Sequence, residues 1–175
     1  VNAINNNGTT ALIEASCNGH KKIVDLLLNV REIEVNTIDR NHDTALIAAC
    51  RHGHREIIEI LLKVEGIEVN AAYQDAGTAL IAATRYGRKE IVKLLLKIHG
   101  IDVNATDKKG ETALIASSRN GYKETVQILF DDGRIDVNLA DKNGETALIA
   151  ASLNGHTNVV EILLQFRGIN VNAAD

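Results

Sequence analysis

The sequence predicts an all-α fold, a solenoid of five helix-turn-helix units with short hairpin-like loops, and three observations predict it. Thr-Ala-Leu-Ile recurs at Thr10, Thr44, Thr78, Thr112 and Thr146, always 34 residues apart, and a fixed period of that size marks stacked supersecondary units. Val-Asn recurs with the same spacing at Val1, Val35, Val69, Val103, Val137 and Val171. Between these markers each unit carries two short apolar-periodic stretches separated by a glycine, the pattern of two helices that reverse on each other.

The unit that begins near Asp107 shows how each element arises. Asp107-Lys108-Lys109-Gly110-Glu111 is a polar, glycine-bearing turn, and Thr112 follows where a hydroxyl can cap the first amides of a helix. Ala113 to Asn120 reads as that helix: Ala113, Ala116 and Ser117 let a neighbour approach closely, and Leu114 and Ile115 supply apolar bulk. Gly121 can take positive φ and end it, as can the matching Gly19, Gly53, Gly87 and Gly155. A second helix from about Tyr122 to Phe130 gathers Val126, Leu129 and Phe130 on one face, and Ile135 to Asn138 leads out as a short extended arm. In the first unit the two helices centre near residues 11–18 and 21–29, and the other pairs are displaced by 34. Helices this short are marginal alone in water, so stacking must hold them.

Units begin near residues 5, 39, 73, 107 and 141, and no linker or charge block interrupts them, so residues 1–175 read as a single array. The chain opens at Val1 without a Met, and Val1-Asn2 and Val171-Asn172 look like pieces of neighbouring units; a longer parent array is the expectation. Some units break their own pattern. His42 and Ala76 stand where others have Gly8, Gly110 and Gly144, so a turn that needs positive φ must be strained or reshaped there. Thr125 replaces an aliphatic residue in the second helix.

Composition narrows the function. No apolar run approaches the roughly 18 residues that span a bilayer. A net charge of −4 is far from the basic balance that phosphate binding needs, which argues against nucleic acid. Two cysteines, Cys17 and Cys50, cannot staple a secreted scaffold of this size, so a reducing, intracellular and cytoplasmic setting is expected, with no disulfide. Cys50, His52 and His54 cluster within five residues, yet they occupy repeat positions and lack a fourth ligand; no metal is expected. Ser, Thr, His and Asp fall at cap and turn positions and form no catalytic constellation, so neither enzymatic activity nor a cofactor is expected. Asn104 belongs to a sequon, but it also belongs to the Val-Asn series, which predicts an amide bonded to loop backbone.

The whole chain resembles the ankyrin repeat. The resemblance rests on Asp-x-x-Gly-x-Thr at Asp107–Thr112 and Asp141–Thr146, on Gly-His at Gly19, Gly53 and Gly155, and on the aliphatic helices Ile23–Leu28 and Ile91–Leu96. It departs from the family pattern systematically: Ala replaces Pro and Ile replaces His in each Thr-Ala-Leu-Ile. One extra residue before Val-Asn accounts for the period of 34. The resemblance implies a non-enzymatic scaffold that binds a protein partner along its concave side, through the turn tips and the ends of the first helices.

Carried over position by position, the tips include Asn6, Asn7 and Thr9; Arg40, Asn41 and Asp43; Gln74, Asp75 and Gly77; Lys108, Lys109 and Glu111; and Lys142, Asn143 and Glu145. The helix ends include Arg51 and His52, Arg85 and Tyr86, Arg119 and Asn120. Arg51, Arg85 and Arg119 are equivalent and form a ladder with Tyr86 at its centre, a composition suited to an interface hot spot. Such a ladder would engage acidic or carbonyl-rich groups of the partner. Alternatively each arginine pairs with a tip carboxylate, Asp43, Glu111 or Glu145, and the face is merely solvated. The partner-binding candidates are therefore Arg40, Asp43, Arg51, Arg85, Tyr86, Lys108, Lys109, Glu111, Arg119 and Asn120.

The ends suggest a structural alternative. Glu14 replaces the alanine of the other units and points to a water-facing first unit, whereas the last unit repeats the interior pattern and should leave an apolar outer face. That face would be covered by further repeats or by another copy, and the second option builds filaments.

Overall fold

The computed structural model describes residues 1–73 and 77–172. Gln74, Asp75 and Ala76 of the third tip lie outside the described residues. Ten α-helices occur among those described: α1 Ala11–Cys17, α2 Lys21–Leu28, α3 Ala45–His52, α4 Arg55–Leu61, α5 Ala79–Arg85, α6 Lys89–Leu95, α7 Ala113–Arg119, α8 Lys123–Asp132, α9 Ala147–Leu153 and α10 Thr157–Leu163. They form five antiparallel-reading pairs at the predicted places. Each first helix starts on its threonine: the hydroxyls of Thr10, Thr44, Thr78, Thr112 and Thr146 accept from the amides of Ile13, Ile47, Ile81, Ile115 and Ile149. A hydroxyl at that position satisfies an amide that has no partner inside the helix.

The units stack in order, α1 on α3, α3 on α5, α5 on α7 and α7 on α9, with α6, α8 and α10 packed in a second row. Alanines let the first helices close up. Ala45, Ala48 and Ala49 in α3 and Ala79, Ala82 and Ala83 in α5 are buried beside Leu46, Ile47, Leu80 and Ile81, giving one continuous apolar core. Thr125 is buried in α8 with the aliphatic residues it replaces in register.

Two sets of polar ties set the spacing between units. Nε2 of His54 lies 2.9 Å from the Cys17 carbonyl, and Nε2 of His156 lies 3.0 Å from the Arg119 carbonyl, so each ring reaches the C-terminal end of the preceding first helix. The ring needs a glycine beneath it. A Cβ at Gly121, whose φ is +70°, would lie 2.5 Å from Nδ1 of His156. On the opposite edge the Val-Asn asparagines clamp the next loop. The Asn104 amide donates to the Arg134 carbonyl at 3.0 Å while its oxygen accepts from the Asp136 amide at 2.9 Å, and Asn36, Asn70 and Asn138 make the same pair of bonds. The predicted loop role of Asn104 is thus a clamp between units.

The off-pattern turns behave differently. His42 takes φ +63° in place of a glycine, and its amide donates to the Asp39 carbonyl at 3.0 Å, so the turn keeps its shape and the side chain bears the strain. In the third unit the isolated bridge joins Tyr73 to Gly77, whereas Thr106 pairs with Thr112 and Ala140 with Thr146. Gly77 carries a φ of +70°, one position later than in the other tips.

The end faces only partly match expectation. On the last unit Leu164 is 52% exposed and Leu148, Ile149 and Val160 are half-buried, while Ala147, Ala150, Ala151, Ile162 and Leu163 are buried; Leu153, at the ladder position, is 71% exposed. Glu14 is exposed, but Leu26 is also 71% exposed and Ile23 47%, although Ile57, Ile91 and Val159 at the position of Ile23 are buried against a preceding unit. The first unit's outer face is therefore apolar, because its second helix keeps the interior pattern.

Relief of the strained turn is measurable. His42→Gly should raise the free energy of urea unfolding by about 1 kcal/mol, since glycine adopts the left-handed region without a side-chain clash.

Candidate functional site

The tips and the ends of the first helices meet along one side of the stack. Each tip is held by the first residue of its Asp-x-x-Gly-x-Thr motif. One carboxylate oxygen of Asp107 accepts from the amides of Lys109 and Glu111 at 2.8 and 2.9 Å, and Asp141 does the same for Asn143 and Glu145. This leaves the second oxygen of each free to face the helix ends.

The ladder arginines take it. Nη2 of Arg85 donates to Asp107 at 2.8 Å and to Glu111 at 2.6 Å, with Nε donating to Glu111 at 3.0 Å. Arg119 reaches three carboxylates: Glu111 of its own unit at 3.1 Å, and Glu145 at 2.6 Å and Asp141 at 3.3 Å of the next. These acids are largely buried, with side-chain exposures of 1% for Asp107 and 4% for Asp141. Charge-assisted bonds in such a setting are stronger than those of an exposed pair. Arg85 and Arg119 thus act first as cross-unit ties, in the manner of the pairing alternative, and a partner meets guanidinium groups already engaged by carboxylates.

Arg51 differs. Its Nη2 donates to Asp43 of its own unit at 2.7 Å, and its guanidinium carbon sits 5.4 Å from the centroid of the Tyr86 ring, within cation–π range. Its Nε is buried without a hydrogen-bond partner. The residues that stand where Asp107 and Glu111 serve Arg85 are here Tyr73 and Gly77.

The predicted residues therefore fall into groups. Arg85, Lys109, Glu111, Arg119 and Asn120 line one cleft of about 560 Å3, together with Asp107, Asp141 and Asn143. Asp43, Arg51 and Tyr86 form a neighbouring cluster. Arg40 and Lys108 lie exposed on the tips, where the Arg40 amide donates to the Asn7 carbonyl at 3.0 Å. The Asn120 amide caps α7 by donating to the Ala116 carbonyl at 2.8 Å. Sequence reasoning missed Asp107 and Asp141 as arginine partners. Their place at the head of the turn motif is the signal that could have found them.

Cys17 and Cys50 are free thiols. Cys50 is fully buried and its thiol pKa is pushed up by that burial, whereas Cys17 is only half-buried at the ladder position of the first unit. His52 and His54 stack with ring centroids 6.1 Å apart, the second of them committed to the Cys17 carbonyl.

The family described as Ankyrin repeats (3 copies) matches residues 1–73, 31–107 and 80–175. Those stretches run the length of the chain, and the chain belongs to the ankyrin repeat family. No curated protein matches it. Ankyrin repeats generally mediate protein–protein interaction and are typically non-enzymatic modules.

Asp43 titrates unusually. Burial pushes its carboxyl up to about 6 against the pull of Arg51, with Asp39 adding to the rise and Arg85 and His42 opposing it. The folded chain then holds a proton that the unfolded chain has lost, so this group's stabilising contribution is present at low pH and is lost as pH rises through about 6. The melting temperature of the wild type relative to Asp43→Asn should fall between about pH 4 and pH 7 and level off above. A constant difference across that range would show that Asp43 titrates normally.

Proposed function

We propose that the chain is a non-enzymatic protein-binding scaffold and that the partner lies in the concave groove between the turn tips and the ends of the first helices. The observation that carries this reading is the cleft of about 560 Å3 lined by Arg85, Lys109, Glu111, Arg119 and Asn120, next to a Tyr86 that is 44% exposed. An exposed aromatic ring beside fixed guanidinium groups offers contact area at low entropy cost. Arg85 and Arg119 are unsuited to a test by charge reversal, because a glutamate there would face Asp107, Glu111, Asp141 and Glu145. Tyr86 and Lys109 are better probes. Tyr86→Ala with Lys109→Glu should weaken binding of proteins that co-purify with the wild type by about ten-fold or more, with little change in melting temperature. Lys93→Glu with Lys97→Glu, on and just beyond α6, should bind as the wild type does. The reverse pattern would place the partner on the second helices.

The end faces favour a second reading, a structural element whose copies stack head to tail. Ile23 and Leu26 at one end and Leu164 at the other are exposed, whereas their equivalents in interior units are buried or half-buried, and an exposed Leu153 stands where those units carry the ladder arginines. A contact between unlike ends does not close and builds filaments. On this reading light scattering over a dilution series gives a mass that rises with concentration, and Leu153→Glu abolishes the rise; a constant monomer mass would exclude it.

A further inference from the structure

Among the described residues, one rung of the ladder lacks the carboxylates of the next tip. Arg119 shows the full set, one carboxylate from its own tip, Glu111, and two from the next, Asp141 and Glu145. Arg85 has the two from the next tip, Asp107 and Glu111. Arg51 has its own-tip acid, Asp43, but across the unit boundary the equivalent residues are Tyr73 and Gly77, which bring no carboxylate. Consistent with that, Nε of Arg51 is buried with no acceptor. A buried donor without a partner costs free energy, and because Nε is sealed from solvent, a partner can reach only the remainder of the side chain, which is 22% exposed.

We propose that the Arg51–Tyr86 cluster is a docking point for a carboxylate of the partner protein, an aspartate or glutamate side chain that engages the solvent-facing part of a guanidinium which, unlike those of Arg85 and Arg119, receives no carboxylate from Tyr73 or Gly77 of the next tip. The proposal rests on the concave-groove reading and narrows it to one contact and one chemistry. Two features favour a carboxylate over a phosphoryl group. The acceptors that occupy the equivalent positions on Arg85 and Arg119 are carboxylates, so the geometry around the guanidinium is that of a carboxylate pair. And Asp43 already offsets part of the charge on Arg51, leaving the site suited to one further negative charge and poorly suited to two. Tyr86 holds the guanidinium by its ring face, which fixes the fork before the partner arrives and lowers the ordering cost of binding.

The vacancy can also be filled from inside. Tyr73→Asp puts a carboxyl at the position from which Asp107 reaches Arg85, so it should compete with the partner for Arg51.

The test uses the whole chain and immobilised short peptide pools whose central residue is fixed as Glu, Gln, Lys or phosphoserine, with flanks free of other acids. The wild type should be retained by the Glu pool about ten-fold or more over the Gln pool. Arg51→Gln, Arg51→Lys and Tyr73→Asp should each lose that preference while keeping the helical circular-dichroism signal, the lysine variant because it keeps the charge but not the fork. A Glu preference that survives in Arg51→Gln overturns the docking point. So does equal retention by the Glu and Gln pools, absence of retention by every pool, or stronger retention by phosphoserine. Retention that ignores Arg51→Gln but is lost in Tyr86→Ala with Lys109→Glu overturns the carboxylate contact and leaves the groove standing. Retention that ignores all of these substitutions removes both.

Discussion

Among the described residues no helix exceeds ten residues and most have seven or eight, too few for a helix to hold itself in water. The contact between one unit's first helix and the next is therefore the constraint on which everything else depends. It explains why alanine fills α3 and α5, why Gly19, Gly53, Gly87 and Gly121 each lie under a ring or long side chain from the following unit, and why polar ties are spent on spacing the units. Stability in such a stack is a sum of unit and neighbour terms. The polar clamps add to those terms without altering their one-dimensional character.

The same dependence shapes the electrostatics. Arginines at the ends of α5 and α7 and acids at the following tips meet only because the units are in register. Once they meet, the ionic network rigidifies the tips, since Asp107 and Asp141 each bond two backbone amides and an arginine at once. A surface that a partner would read as a row of cations is thereby turned into a mixed one, in which the identity of each tip decides how much of each guanidinium remains to be engaged. Variation between tips, which leaves the fold untouched, is what differentiates the groove along its length.

Most of the fold was legible because its causes are local. A threonine hydroxyl caps an amide three residues on, a glycine takes its own φ, and the 34-residue period repeats both signals until chance is excluded. The groove was legible as a set of positions but not as chemistry. Asp107 bonds Arg85 across 22 residues of sequence, and nothing in the turn motif says which way the second carboxylate oxygen faces. The first unit's outer face was misjudged for a related reason. Glu14 was read on the first helix alone, whereas Ile23 and Leu26 on the second decide the exposed area. His42 lay between these cases, because the sequence could show that something must give without showing that the backbone would hold its shape and strain the residue.

The asparagine clamps carry an evolutionary consequence. Each carboxamide accepts and donates across a fixed offset, 32 residues to the amide and 30 to the carbonyl, and the histidine tie spans 37. All of these bonds begin and end within one adjoining pair of units. Duplication or excision of a whole 34-residue block leaves every such bond with a correct mate, while gain or loss of a single residue inside a block misaligns the clamp, the ring and the arginine together. Recombination can thus lengthen or shorten this array freely in quanta of one unit, and selection can then edit the tips one at a time.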